Sequence, residues 1–260
     1  MILLTNGDSW TQGDSPSQTP NWSAKKSLKW YDIIPNFGYP VTSGYDRSIL
    51  YKFYDSEIWP KVLGRKLGVE TWNAGRLGDD NFTIVKRTIN SIKYLKSIGK
   101  KDIFLVIGWT SKYRVPIIEK VEDTFHYTQL RPNEEGYDSL SLPLSEKVFT
   151  SDFFIYTHLL ECFCKENNVE YLFFNAFDSC EKTSGIPIVE ELNKDKWMNK
   201  DISSSHFKDY ILKKFELTDW RDSDYFLCYH PTDISHIAWG NYLYEYIINN
   251  YEVTDKINTV

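Results

Sequence analysis

Long hydrophobic runs are missing from this 260-residue sequence. No stretch approaches the ~18 apolar residues of a membrane-crossing helix, so none is expected. No secretory leader is expected either. Met1-Ile2-Leu3-Leu4 runs at once into Thr5-Asn6-Gly7-Asp8-Ser9, without the basic start and apolar run of about 7–15 residues that a signal peptide needs. Positive charge is not in excess: 30 Lys and Arg face 36 Asp and Glu, for a net charge of −6. With no basic stripe, there is no electrostatic case for binding nucleic acid or an anionic membrane. Cysteine is scarce. Cys162, Cys164, Cys180 and Cys228 match neither a CxxC redox pair nor a common zinc knuckle, so four free thiols are expected.

What is present is ordinary globular material, with 42% hydrophobic and 25% charged residues. The aromatic share is high at 16%, which favours a well-filled core or an aromatic-lined surface. Ile2-Leu3-Leu4 reads as a short buried strand ending at the Asn6-Gly7 turn, just before Ser9. Residues 11–56 are rich in Ser, Pro, Gly, Tyr and Asn and read as a long irregular insertion. A helix is expected near 56–67, with Trp59, Val62, Leu63 and Leu67 inward and Gly68 as its stop. A strand follows over 69–73. Asp79 or Asp80 can cap a helix near 81–98, whose stripe is Val85, Ile89, Ile92 and Leu95.

Residues 103–107 form a continuous apolar run closing at Gly108, the signature of a strand buried on both faces. Residues 109–150 read as loop. Ser151 is expected to cap a helix to about 166, with Ile155, Leu159, Cys162 and Phe163 inward. A fourth strand follows at 169–174, then a short helix near 206–216. A last helix is expected from Ser235 to about Asn249, carrying Leu243, Tyr246 and Ile247. Strand and helix alternate, so the expected fold class is α/β: three layers, α/β/α, with a central parallel sheet of flavodoxin-like type. The chain is expected to be one domain over 1–260, with insertions at about 11–56, 112–150 and 176–228.

Ligands of such sheets bind beyond the carboxyl ends of the strands. Three strands deliver suggestive residues there: Gly7-Asp8-Ser9, then Asn73 to Gly78, then Gly108-Trp109-Thr110-Ser111. A nucleophilic serine needs a base, an orienting partner for that base, and donors for the developing oxyanion. His230-Pro231-Thr232-Asp233-Ile234-Ser235-His236 supplies a carboxylate and an imidazole three residues apart. One turn at the start of the last helix can hold Asp233 and His236 in register, with His236 as the base within reach of Ser9.

These blocks resemble the SGNH (GDSL) hydrolase superfamily. Gly7-Asp8-Ser9-Trp10 is similar to its first block, with the nucleophile third. Asn73 followed by Gly78-Asp79-Asp80-Asn81 is similar to its second, where a glycine N–H lines the oxyanion hole. Gly108 to Ser111 stands at the third, and Asp233-Ile234-Ser235-His236 at the fifth. The order fits from end to end, though the three insertions have no counterpart.

The resemblance implies an ester hydrolase with catalytic Ser9, Asp233 and His236, and with Gly78 and Thr110 or Asn81 at the oxyanion. It implies no cofactor and no metal. The third block departs from the family's Gly-x-Asn-Asp, placing Thr110 where the family has its Asn donor. Loss of one such donor costs about 3 kcal/mol, roughly a hundredfold in rate. Gly-Trp-Thr-Ser here is similar to phage-related members, so the change need not mean inactivity; with neither a leader nor a membrane span expected, the expected location is cytoplasmic or virion-associated. The expected partner is a small or carbohydrate ester, for example an O-acetyl group. The alternative is a catalytically weak binding module on the same fold.

Several residues stay open at this level. His230 is a rival base or a loop residue fixing the Pro231 turn; with Asp233 and His236 it could also make a metal site by ligand type. His126, His158 and His206 lack partners in sequence, and His158 reads as a core residue. Arg114 could hold a carboxylate or fix its loop. Trp10, Trp30, Tyr31, Tyr39, Tyr45 and Trp109 could line a cleft or pack the inserted loop against the sheet rim.

Overall fold

The computed structural model describes residues 1–12, 39–40, 57–76, 78–121, 124–130, 146–177, 180, 185–219, 224–227 and 230–252. Its centre is a five-stranded sheet. Four strands are parallel: β1 (Ile2–Gly7), β3 (Glu70–Asn73), β4 (Ile103–Trp109) and β7 (Glu170–Asn175). The short β2 (Tyr39–Pro40) joins antiparallel at the edge, opposite Trp72 and Asn73. The order is β2-β3-β1-β4-β7. Along the parallel strands the chain therefore runs second, first, third, fourth, the flavodoxin-like order whose ligand crevice opens beside the first strand.

Side-chain alternation explains the layers. Ile2 and Leu4 of β1, with Ile103, Leu105 and Ile107 of β4, face one core. That core is closed by α3 (Asn81–Ser97) and α4 (Glu146–Glu166). Leu3, Phe104 and Val106 face the other. It is covered by α2 (Trp59–Leu67), α5 (His206–Lys214) and α6 (Asp233–Asn250). Every residue of β4 is buried, as a strand covered on both faces requires. Among the described residues, no helix is long and apolar enough to cross a membrane.

Most expected elements stand close to their predicted places. Trp59, Val62, Leu63 and Leu67 of α2 are buried, and Gly68 closes it in the left-handed region. Asp80 caps α3 by accepting from Thr83 N.

α4 corrects the reading. It begins at Glu146, so Ser151 lies inside it rather than at its cap. Its buried face is Phe149, Phe153, Phe154, Thr157, Leu160 and Cys164, whereas Ile155 is 40% and Leu159 54% exposed. Apolar side chains surround this helix, so periodicity alone does not choose a face. The aromatic rings, with the larger area to bury, take the core side. Cys162 is exposed, and His158 is half-buried beside it, with its Nε2 3.5 Å from Cys162 Sγ.

Residues 109–150 are not all loop. β5 (Val115–Val121) and β6 (Thr124–Leu130) form an antiparallel hairpin. Pro116 interrupts the β-forming pattern that would have announced it. Among the described residues of 176–228 the chain forms three short 3-10 turns, at Pro187–Glu191, Lys194–Lys196 and Met198–Lys200, before α5. His206 is an internal brace: its Nδ1 accepts from Asn175 N at 3.2 Å and its Nε2 meets Met198 O at 3.0 Å. Trp30, Tyr31 and Tyr45 lie outside the described residues, as does most of 11–56. The side chains of Tyr39 and His126 are likewise not described. Trp10 and Trp109 are core residues, 3% and 0% exposed.

Candidate active site

β1 ends at Gly7 and the chain turns at once into α1 (Ser9–Gln12). A Cβ at Gly7 would lie 2.2 Å from Thr11 Oγ1 and 2.6 Å from Gly108 O. Only glycine lets α1 press this closely onto the end of β4. Asp8 caps the turn: its Oδ1 accepts from Trp10 N at 3.0 Å, and its carbonyl from Thr11 N and Gln12 N. Ser9 is thereby held at the carboxyl edge of the sheet, 3% exposed.

The imidazole that meets Ser9 is His230. Its Nε2 lies 3.0 Å from Ser9 Oγ, a good hydrogen-bond distance. His230–Pro231 forms the short strand β9, paired antiparallel with β8 (Phe226–Leu227). Pro231 biases the preceding residue toward extended backbone. Thr232 N and Ser235 Oγ both donate to Tyr225 O, and Thr232 Oγ1 donates to Asp224 O. These bonds tie the β8–β9 pair to the first turn of α6 and fix the reach of His230.

The expected Asp233/His236 arrangement is corrected by this geometry. His236 is 1% exposed. Its Nδ1 accepts from Trp59 N at 3.4 Å, and its Nε2 has no hydrogen-bond partner. Burial, with His230 nearby, pushes its pKa down to about 3. Such a ring stays neutral inside the α2–α6 core and does not touch Ser9. Asp233 Oδ1 is buried without a hydrogen-bond partner, and burial and nearby Glu57 raise its carboxyl. In a helix the two residues share a first turn, but the turn directs them inward and toward α2 rather than to the sheet rim.

The second loop is laced to β1. Asn73 Nδ2 donates to Thr11 O, Ala74 N to Thr5 O and Arg76 N to Gly7 O. Gly75 N donates to Asn73 Oδ1. Gly78 follows with a φ of +82°, a left-handed conformation that glycine adopts without strain. Asp79 is then gripped by Arg87, which donates to both carboxylate oxygens at 2.8–3.1 Å. Both side chains are buried.

Thr110 and Asn81 serve the scaffold. Thr110 Oγ1 donates to Asp8 Oδ2 at 2.8 Å. Asn81 Oδ1 accepts from Thr110 N, and its Nδ2 donates to Thr110 O and Ser111 O. Thr110 Oγ1 and Asn81 Nδ2, the two expected side-chain donors, are thus both engaged by acceptors within the scaffold. Arg114 joins the same network. It reaches Asp8 Oδ2 at 3.1 Å and Asp79 O at 2.7 Å. Among the described residues, no group of three or more His, Cys, Asp or Glu side chains is arranged to hold a metal ion.

No family model matches the chain, and no curated protein matches it. Solved structures do match. One is a protein of the G-D-S-L family described as lipolytic, from Desulfitobacterium hafniense DCB-2. It is 12% identical with a TM-score of 0.37, over 94% of this chain and 98% of that one. Another is a carbohydrate esterase with divergent catalytic and non-catalytic binding functions. It is 12% identical with a TM-score of 0.43, over 97% of this chain and 69% of that one. A third is a carbohydrate esterase family 2 enzyme with a carbohydrate binding domain, from Corynascus thermopiles (Myceliophthora fergusii). It is 10% identical with a TM-score of 0.43, over 96% and 66%.

Proposed function

We propose that the chain is a serine hydrolase that cleaves carboxylic esters through an acyl-enzyme on Ser9, with His230 as general base. The observation that carries this reading is the 3.0 Å contact between Ser9 Oγ and His230 Nε2 at the carboxyl edge of the sheet. A serine hydroxyl is a weak nucleophile until a base takes its proton. In the proposed cycle, Nε2 accepts that proton as Oγ attacks the ester carbonyl carbon. The tetrahedral oxyanion is held by the backbone N–H groups of Ser9 and Gly78. The carbon–oxygen bond to the alcohol then breaks, and His230 returns the proton to the leaving alkoxide. Water repeats the sequence and frees the acid. From the motif resemblance, the substrate to test first is a small acyl ester such as an O-acetyl group on a carbohydrate.

Purified chain with p-nitrophenyl acetate tests the proposal. A burst of nitrophenolate followed by steady turnover is expected, and Ser9→Ala abolishes both. Activity that persists in Ser9→Ala overturns the assignment.

One observation favours a second reading. With Thr110 and Asn81 engaged elsewhere, the proposed hole has two backbone donors and no side-chain donor. A missing donor slows turnover by about a hundredfold or more, which suits a binding module with residual chemistry. A fluorophosphonate probe separates the two: labelling of Ser9 in the folded chain supports the enzyme, and no labelling supports the binding module.

A further inference from the structure

We propose that Arg114 is a positioning residue that sets the distance between the two oxyanion-hole donors. This inference rests on the serine-hydrolase reading above. A two-donor hole works only if both N–H groups point at one spot about 3 Å away. Ser9 N and Gly78 N belong to different loops, one after β1 and one after β3. The sheet pairing between those strands ends at Thr5 and Asn73; beyond it Ala74 N–Thr5 O, Arg76 N–Gly7 O and Asn73 Nδ2–Thr11 O lace the loops but stop short of Gly78, so a further connection is needed to set its register.

Arg114 makes that connection. One terminal nitrogen lies 3.1 Å from Asp8 Oδ2 and the other 2.7 Å from Asp79 O. Asp8 is the residue before Ser9, and Asp79 is the residue after Gly78. One rigid guanidinium thus grips the covalent neighbour of each donor. Its planar fork keeps its nitrogens at a fixed spacing, which a lysine ammonium cannot do.

The clamp is anchored at every end. Arg114 N donates to Ser111 O, and the guanidinium lies 5.6 Å from the Phe177 ring centre. Asp8 is 0% exposed, and its carboxylate also accepts from Trp10 N and Thr110 Oγ1. Asp79 is held from the opposite side by Arg87 on its carboxylate. Four segments of the rim therefore meet at Arg114: the turns after β1, β3 and β4, and Phe177 after β7. The third-block turn, which gives up its side-chain donor, instead carries the residue that spaces the remaining two.

Kinetics of the full chain with p-nitrophenyl acetate test this, using Arg114→Ala and Arg114→Lys. Loss of alignment lowers kcat by about a hundredfold in Arg114→Ala, with KM within about threefold of wild type. Affinity for phenylboronic acid, a tetrahedral mimic, falls in parallel with kcat. Added methylguanidinium restores part of the kcat of Arg114→Ala and none of that of Ser9→Ala.

Arg114→Lys keeps a positive charge beside buried Asp8 and reads the same effect if the alanine variant does not fold. It reaches one acceptor instead of two, so kcat falls by about tenfold. If both variants, or the lysine variant alone, turn over within twofold of wild type and lose only thermal stability, Arg114 is a structural ion-pair partner and the inference is overturned. If the wild type itself shows no Ser9-dependent turnover, the hydrolase reading fails and this inference falls with it.

Discussion

Acidification should destabilise this protein through His236, and the size of the effect follows from its surroundings. The ring is 1% exposed, with Nδ1 engaged by Trp59 N and Nε2 unpartnered. It charges in the folded state only near pH 3, whereas an unfolded histidine charges near about 6.5. Between those values the unfolded chain binds a proton that the native chain refuses. Its depressed pKa therefore gives stability that is present above about pH 6.5 and lost as pH falls toward 3. At about 1.4 kcal/mol per pH unit, His236 alone removes about 2 kcal/mol by pH 5. That is a large part of a typical stability of about 5–15 kcal/mol. Urea unfolding midpoints of wild type and His236→Gln, measured from pH 7.5 to 5, read this directly. Glutamine keeps an acceptor for Trp59 N but cannot titrate. The wild-type curve should fall away from the variant's by about 2 kcal/mol at pH 5; parallel curves would refute the buried, neutral ring.

Glu161 should act with the opposite sign. Burial pushes its carboxyl up to about 7; only Asn193 N, at 3.2 Å, supports Oε2, and Oε1 has no partner. Above pH 7 the folded state holds a poorly solvated charge, so Glu161→Gln should raise stability at pH 8 by up to about 3 kcal/mol and at pH 5 by no more than about 1 kcal/mol. A thermal melt at each pH checks it, and equal shifts at both would contradict the assignment. Thr110→Val removes a hydroxyl donor from the buried Asp8 carboxylate and should cost about 1.5–3 kcal/mol of stability, with Thr110→Ser restoring it. A hundredfold loss of kcat at unchanged stability would instead make Thr110 an oxyanion donor.

The scaffold was legible because its signals are local and redundant. The continuous apolar run of β4 and the Asp80 cap of α3 each point to one outcome. So does the glycine that ends β1 ahead of Ser9. α4 takes a different face from the one its periodicity suggests because apolar residues surround it, and burial is decided there by ring size rather than by period. The site was legible as to which loops meet, and less so as to which side chains face inward. Asp233 and His236 have the spacing of a catalytic pair, yet the first turn of α6 sends one into the core and the other toward α2. At the level of sequence His230 stays open between a rival base and a turn residue; Pro231, which biases it toward the extended backbone of β9, is the signal that weighs toward the former. The roles of Thr110 and Asn81 depend on acceptors at Asp8 and Ser111, contacts that no linear spacing exposes.

The central claim is that His230, and not His236, activates Ser9. The most direct measurement is the rate of Ser9 acylation, read as the p-nitrophenyl acetate burst, in His230→Ala and His236→Gln side by side. The account predicts a loss of about a hundredfold to ten-thousandfold for His230→Ala and a rate within about threefold of wild type for His236→Gln. Rapid acylation in His230→Ala, with collapse in His236→Gln, would contradict it.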